Sequence, residues 1–412
     1  MDGVNDRARG AVVASSLFTA TGRIPLRGDS LTAPEATVDG GLAWEDGVIT
    51  YAGPADGLVG AEPARLEGAA VTPGFVDCHT HLPFFGWRAD EFEARLAGLT
   101  YRDLHGEGGI YRSARMLADA SDEEVLAFCR PLVDEMLAHG TTALELKTGY
   151  GLSVEAELRQ ARLARRLAAE IEQTCVVTLL ACHAIPSGME RSEWVEIASE
   201  QLIPRAAEEG LVDAVDVYVE DIAFSLDDLE AVASAAAKAG LPLRCHADQL
   251  GPSGAAEAAC ALGARSADHV NHLSEAGVRA LGDANTAAVL LPASTFALQA
   301  SKPRALDLLR SGAALAVATD FNPGTSAVLS MPEAIAMGCT SYGLPPLTAL
   351  AGATVNAAWV LGLADRLGSL EPGKRADFLV LDTDAFRNVP YRPGHNPVRA
   401  AFVGGRLAAG AL

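Results

Sequence analysis

Gly74-Phe75-Val76-Asp77-Cys78-His79-Thr80-His81 is the stretch on which the reading of this chain turns. An apolar run ends in two histidines separated by one residue. Side chains of a strand alternate between its faces, so His79 and His81 point the same way. Seven further runs of similar character follow at Thr142–Lys147, Val176–His183, Ala214–Glu220, Pro242–His246, Ser266–His269, Ala287–Pro292 and Leu315–Asp320. Ala/Leu/Glu/Arg-rich stretches of helical pattern fill the gaps, Val154–Ala169 and Leu226–Ala239 being the clearest. Alternating β and α units in this number predict an α/β fold, a closed (β/α)8 TIM-like barrel. A doubly wound open sheet is the rival. The barrel is preferred because polar, chemically competent residues end at least five of the strands, and barrel active sites are built at that end.

Outside this middle the chain is β-rich. Leu42–Trp44 and Val48–Tyr51 flank Asp46-Gly47, a dipeptide favoured in tight hairpin turns. Near the other end, Asp377–Leu381 is an apolar strand and Val398–Val403 leads into Gly404-Gly405. Neither end has enough strands to complete a sheet alone. They are expected to pair into one small β-sandwich, residues 1–72 with 366–412, beside a barrel of residues 73–365. The segment Ala11–Ala20 follows Arg7 and Arg9 and faintly imitates a signal peptide, but its two serines and a threonine read better as a first strand.

A length of 412 residues suits a large barrel with a smaller module, and 49% apolar residues can fill a sizeable core. The formal net charge of −21 argues against nucleic acid and against anionic membranes as partners. No apolar run approaches the ~20 residues of a membrane helix. Seven cysteines without a CxxC pair make a disulfide framework a poor reading and a reducing cytoplasm the default.

The paired histidines alone are better explained by two hydrogen-bonded side chains near a strand end. Other strands strengthen the case for a metal. His246 ends Pro242–Cys245, and Asp320 ends the apolar run Leu315–Thr319. A carboxylate after such a run is costly to desolvate without a partner. An ion bound by His79, His81, His246 and Asp320 supplies that partner. Three imidazoles and a carboxylate suit zinc or another borderline transition ion, whereas calcium and magnesium prefer oxygen ligands. Asp320 could instead cap a helix, since Asn322-Pro323-Gly324 follows. His183 and His269 end two more strands. Each alone could be a satisfied core histidine, but six such groups on five strands make coincidence the poorer account. His139 and His395 read as surface histidines, with His105 and His272 open.

These residues make the chain recognisable. Pro73–His81 resembles the first-strand signature of the amidohydrolase superfamily, and Gly368–Asp377 resembles its return into the sandwich. Over essentially the whole chain the sequence is most similar to the imidazolonepropionase family. Its more specific motifs here are Lys147-Thr148-Gly149-Tyr150-Gly151-Leu152, His246-Ala247-Asp248-Gln249-Leu250, Ala267-Asp268-His269 and Ala318-Thr319-Asp320-Phe321-Asn322-Pro323-Gly324. The resemblance implies hydrolytic opening of a cyclic amide, imidazolone propanoate, to N-formimino-glutamate in histidine degradation. It implies His79, His81, His246 and Asp320 as ligands of one zinc or iron ion. It places Arg88, Tyr150, His183, Gln249, Asn322, Gly324 and Thr325 around the substrate, with Tyr101 a further candidate, and implies a homodimer.

The chemistry agrees. An amide needs a stronger nucleophile than neutral water, and a metal lowers the pKa of its bound water to ~7. Asp320 is the natural proton acceptor. His269 and His183 could stabilise the oxyanion or orient the water. Gln249 can fix the ring by donating and accepting hydrogen bonds. Arg88 offers a planar fork to a substrate carboxylate, although in isolation it reads as an ion pair with Asp90 or Glu91. Tyr150, between glycines, reads as loop rather than packed strand. Two stretches depart from the family pattern: Phe85-Gly86-Trp87-Arg88 carries bulky aromatics, and the loop His105–Ile110 is about one residue short. Both lie near the expected carboxylate end of the substrate. The alternatives are therefore a sister hydrolase or deaminase acting on another nitrogen heterocycle, and a catalytically inactive barrel serving as a scaffold.

Overall fold

The computed structural model describes residues 9–60, 62–100, 103 and 108–412. Tyr101 and His105, with the first half of the short loop at 105–110, lie outside them. Four strands open the chain: β1 (Gly10–Leu17), β2 (Thr37–Glu45), β3 (Val48–Pro54) and β4 (Ala64–Pro73). Eight more follow: β5 (Phe75–Asp77), β6 (Thr141–Lys147), β7 (Thr174–Cys182), β8 (Ala214–Val219), β9 (Leu243–Ala247), β10 (Ser266–His269), β11 (Ala287–Leu290) and β12 (Ala314–Val317). β13 (Phe378–Leu381), β14 (Val398–Val403) and β15 (Arg406–Gly410) end it.

Strands β5 to β12 pair in parallel in chain order, each with its sequence neighbours. The two ends of the row also meet. His81 N donates to Phe321 O at 2.9 Å, and Thr80 forms a bridge with Phe321. The sheet is thus a closed barrel, and the doubly wound alternative is excluded. Regular pairing in β5 stops at Asp77, short of the predicted His81. Asp77 accepts hydrogen bonds from Thr319 N at 3.1 Å and Thr319 Oγ1 at 2.6 Å, which ties the chain sideways to the segment after β12. Helices cover the outside. Val154–Glu170 starts at Ser153, whose hydroxyl accepts from Ala156 N, and Leu226–Lys238 starts at a reciprocal Ser225/Asp228 capping box.

The remaining seven strands form one sheet in the order β15-β14-β13-β4-β1-β2-β3. β4 pairs with β13, so the two β-rich ends of the chain join. The sheet folds over its own apolar core: Trp44 of β2 packs on Phe378 of β13 and Phe402 of β14, strands that are not its neighbours in the sheet. Asp46 (φ 51°) and Gly47 (φ 77°) make the predicted hairpin turn, and Gly404 (φ 57°) and Gly405 (φ 74°) make the second. Two successive left-handed residues match the strand twist, which is why Asp-Gly and Gly-Gly occur there. β4 ends at Pro73 and β5 begins at Phe75, so the sheet delivers the chain directly to the first barrel strand.

Candidate metal centre and active site

Six side chains converge at the C-terminal end of the barrel, and all are buried. His79 and His81 follow β5, His183 follows β7, His246 lies in β9, His269 ends β10 and Asp320 follows β12. Ring centroids of His79 lie 5.2 Å from His81, 4.5 Å from His246 and 5.5 Å from His269. Asp320 Oδ1 is 3.2 Å from His81 Nε2 and 3.5 Å from His79 Nε2. His269 (φ 75°) and Asp320 (φ 56°) both sit in left-handed backbone. A non-glycine residue rarely adopts it, and such strain concentrates at functional sites. Here it turns the chain as it leaves the strand and aims each side chain into the mouth.

The donor set fits a metal ion. Two overlapping groups, His79/His81/His246 and His79/His269/Asp320, each bring three ligand atoms within 4.8 Å of one another. The four predicted ligands are thus divided between the groups, with His79 common to both and His269 joining Asp320 in the second. Nε2 of His79 and of His246 is buried without a hydrogen-bond partner among the described residues. Such orphaned nitrogens cost free energy unless something accepts their lone pairs. Their other ring nitrogens face carboxylates: His79 Nδ1 is hydrogen-bonded to Asp268 Oδ2 at 2.6 Å, and His246 Nδ1 lies 3.0 Å from Asp216 Oδ2, close but outside hydrogen-bond geometry. Carboxylates behind the ring are the usual support of metal-binding histidines. Burial drives His79, His81 and His183 well below the ordinary imidazole range and His269 to about 3, aided by the positive charge that each neighbouring ring would carry. Neutral rings are what a metal requires. Burial raises the Asp320 carboxyl, against the pull of His269 and His246.

The same cavity is lined by His81, Arg88, Ile110, Tyr150, His183, Tyr218, His246, Gln249, His269, Asp320, Asn322 and Thr325. Arg88 is 3% exposed, and its Nε and Nη1 have no hydrogen-bond partner among the described residues. Among the described residues its carboxylate neighbour is Glu91, at a loose 3.7 Å, while Asp90 pairs with Arg112 at 2.5 Å. Of the ion pairs considered from sequence, the one with Glu91 is present, loose and buried rather than on the surface, and the one with Asp90 is not formed. Gly324 lies directly beneath it, and a Cβ there would overlap the guanidinium. Asn322 Oδ1 accepts from Gly324 N at 2.9 Å and Thr325 N at 2.7 Å, so its side chain shapes its own loop. His183 Nδ1 is 3.0 Å from Gly149 O, which fixes that nitrogen as the donor and leaves Nε2 for the cavity. Gln249 N donates to Glu220 Oε1 at 2.5 Å.

Phe85 and Trp87 are absent from this lining. They pack against Phe128, and Trp87 also against Phe84 and Phe321. The expected bulkier wall at the carboxylate end is not built by these two residues. His139 and His395 stand apart, hydrogen-bonded to Ser330 and Asp382, and His272 lines a neighbouring surface cleft. Sequence reasoning missed Tyr218, inward by strand parity with Asp216, and the buried residues that hold the loops. Glu157 accepts from Gly149, Gly151 and Leu152 amides, and Gln160 joins Tyr150 N to Pro83 O. Their signal was faint: acidic and amide residues early in a helix also serve as ordinary caps.

Barrel, folded terminal sheet and buried His/Asp cluster define a member of the amidohydrolases, and the sequence model described as "Amidohydrolase family" matches residues 70–408. Among solved structures, a triazine hydrolase variant superposes with a TM-score of 0.77 at 15% identity, covering 98% of this chain and 95% of that one. An adenosine deaminase from Xanthomonas campestris with bound zinc gives 0.71 at 20%, covering 96% and 92%. Identities this low speak for the fold alone. Among curated proteins, the imidazolonepropionase of Methylobacterium nodulans is 42% identical over 374 residues, 89% of this chain and 94% of that protein. That of Mesorhizobium japonicum is 41% identical over 387 residues, 92% and 95%. The chain belongs to the imidazolonepropionase family within the amidohydrolases.

Proposed function

We propose that this protein hydrolyses the ring amide of imidazolone propanoate, giving N-formimino-L-glutamate in histidine degradation. The observation that carries the reading is the pairing, in one cavity, of a buried imidazole–carboxylate cluster with a buried arginine whose Nε and Nη1 have no hydrogen-bond partner among the described residues. His79, His81, His246 and Asp320 would hold a zinc or iron ion, which supplies Lewis acidity and acidifies water. Asp320 accepts the proton of the attacking water and returns it to the ring nitrogen that leaves. Neutral His269 stabilises charge developing on the amide oxygen, and His183 Nε2 accepts a ring N–H. Gln249 and the Tyr150 hydroxyl orient the ring. Arg88, seated over Gly324 beside Asn322 and Thr325, takes the propanoate carboxylate.

The barrel at residues 73–365 carries this site, with residues 1–72 and 366–412 as the supporting unit. A homodimer in the cytoplasm belongs to the same reading. Among the described residues no helix is long and apolar enough to cross a membrane.

The test is a substrate panel: imidazolone propanoate beside hydantoins, lactams and aminated heterocycles. The proposal expects imidazolone propanoate to have the highest kcat/KM. A hydantoin, lactam or aminated ring turned over faster would assign the site to a sister hydrolase or deaminase.

A further inference from the structure

Barrel interiors are ordinarily filled by branched apolar side chains. Below the histidines this one is filled with charge. Glu145 and Lys147 of β6, Asp216 of β8, Arg244 of β9 and Asp268 of β10 are all exposed by 1% or less. They form one continuous ladder. Asp268 Oδ2 is 2.6 Å from His79 Nδ1 and 2.8 Å from Arg244 Nη2. Arg244 Nη1 reaches Glu145 Oε1, which also accepts from Thr178 Oγ1. Lys147 Nζ lies 2.9 Å from Glu145 Oε2 and 2.6 Å from Asp216 Oδ2. Asp216 Oδ2 closes the run, 3.0 Å from His246 Nδ1. Both ends of the ladder are thus ring nitrogens of site histidines.

Stability alone does not account for these charges. Loss of hydration offsets most of the Coulombic gain of a buried ion pair, and apolar residues of equal volume often serve as well. Removing one partner, however, is strongly disruptive, because the other charge is left uncompensated. Such an arrangement resists any rotation that would break it. Two cations against three carboxylates also leave one carboxylate in excess beneath the cluster, which suits a cation above.

We propose that the ladder from Asp268 through Arg244, Glu145 and Lys147 to Asp216 is a single positioning device for the metal centre. It places a proton on Nδ1 of both His79 and His246, so that both Nε2 lone pairs face one point. It also couples the two rings, because neither turns without leaving a carboxylate of the ladder. The inference rests on the metal site proposed above and extends it to Lys147, which forms its ion pairs with Glu145 and Asp216 rather than with a histidine.

The test measures zinc affinity of the purified full chain by chelator competition, with the thermal midpoint of the metal-free protein as a control for folding. Lys147→Met is expected to weaken zinc binding by about ten- to a hundredfold, the range for supports of metal ligands. Native affinity in a folded Lys147→Met protein overturns the proposal. If that variant fails to fold, the isosteric Asp216→Asn and Asp268→Asn decide. Each should weaken zinc by a similar factor, and the double variant by less than the product of the two, because both act through one network. Unchanged affinity in either, or fully multiplicative losses, overturns the ladder. A native chain that binds neither zinc nor iron overturns the metal site itself, and the ladder's role with it.

Discussion

The proposed metal end of the cavity and its proposed carboxylate end are built on different principles. At the metal end, His79, His81, His246, His269 and Asp320 stand in or just beyond barrel strands, and two of the rings are backed by buried carboxylates. At the other end, Arg88, Asn322, Gly324 and Thr325 stand on loops that hold one another: Arg88 N donates to Pro323 O, Asn322 binds the amides of residues 324 and 325, and Arg95 Nη2 donates to Gly324 O. Rigid strands fix the reaction, and loops on that scaffold choose the molecule. A relative with another substrate can then keep the first end and rebuild the second.

Substitutions sharpen this division, in falling order of effect. Asp320→Asn keeps the shape but cannot accept the water's proton. Turnover should fall by ~100- to 10,000-fold, equally for substrates with and without a propanoate arm. Steady-state kinetics on both rings checks this, and a loss of under about tenfold would move the role to His269. Arg88→Met should act on one substrate only. A hydrogen bond to a charged group contributes ~1.5–3 kcal/mol, so KM for the armed ring should rise by about ten- to a hundredfold. Equal losses on both rings would make Arg88 structural and erase the division.

Gly324→Ala tests the same end without touching the cation. A Cβ displaces the guanidinium without removing its charge, so a smaller rise of about tenfold, ~1.4 kcal/mol, is expected, again confined to the armed ring. Trp87→Ala should do least. Its indole is 42% exposed and packs on Phe84, Phe128 and Phe321, outside the cavity lining. KM should stay within about twofold, as for most surface substitutions. A large change would mean that the aromatic loop shapes the carboxylate end after all.

The same division governs how much could be read in advance. The barrel was legible because its strands are apolar runs separated by helices of clear period, and the histidines were legible because they terminate those runs. The ladder was not seen, although strand parity carried its signal. Arg244 shares a face with His246, as Asp77 does with His79, so charged residues inside apolar strands pointed inward. Parity misleads at the strand ends. Asp268 faces the interior, and a regular strand would send His269 outward, but left-handed backbone at His269 returns its ring to the mouth. The aromatic departures at Phe85 and Trp87 were legible as departures only. Where they pack depends on Phe128, a residue of the distant helix Asp122–Ala138, and no local pattern reveals that contact.

The account stands most directly on the reaction product. The protein, stripped with a chelator and reloaded with zinc or iron, is incubated with imidazolone propanoate, and the product mass and free ammonia are followed together. The account predicts a product heavier than the substrate by one water, formed without ammonia, lost on stripping and restored by the ion. Ammonia release, or no consumption of substrate by the reloaded protein, would contradict it.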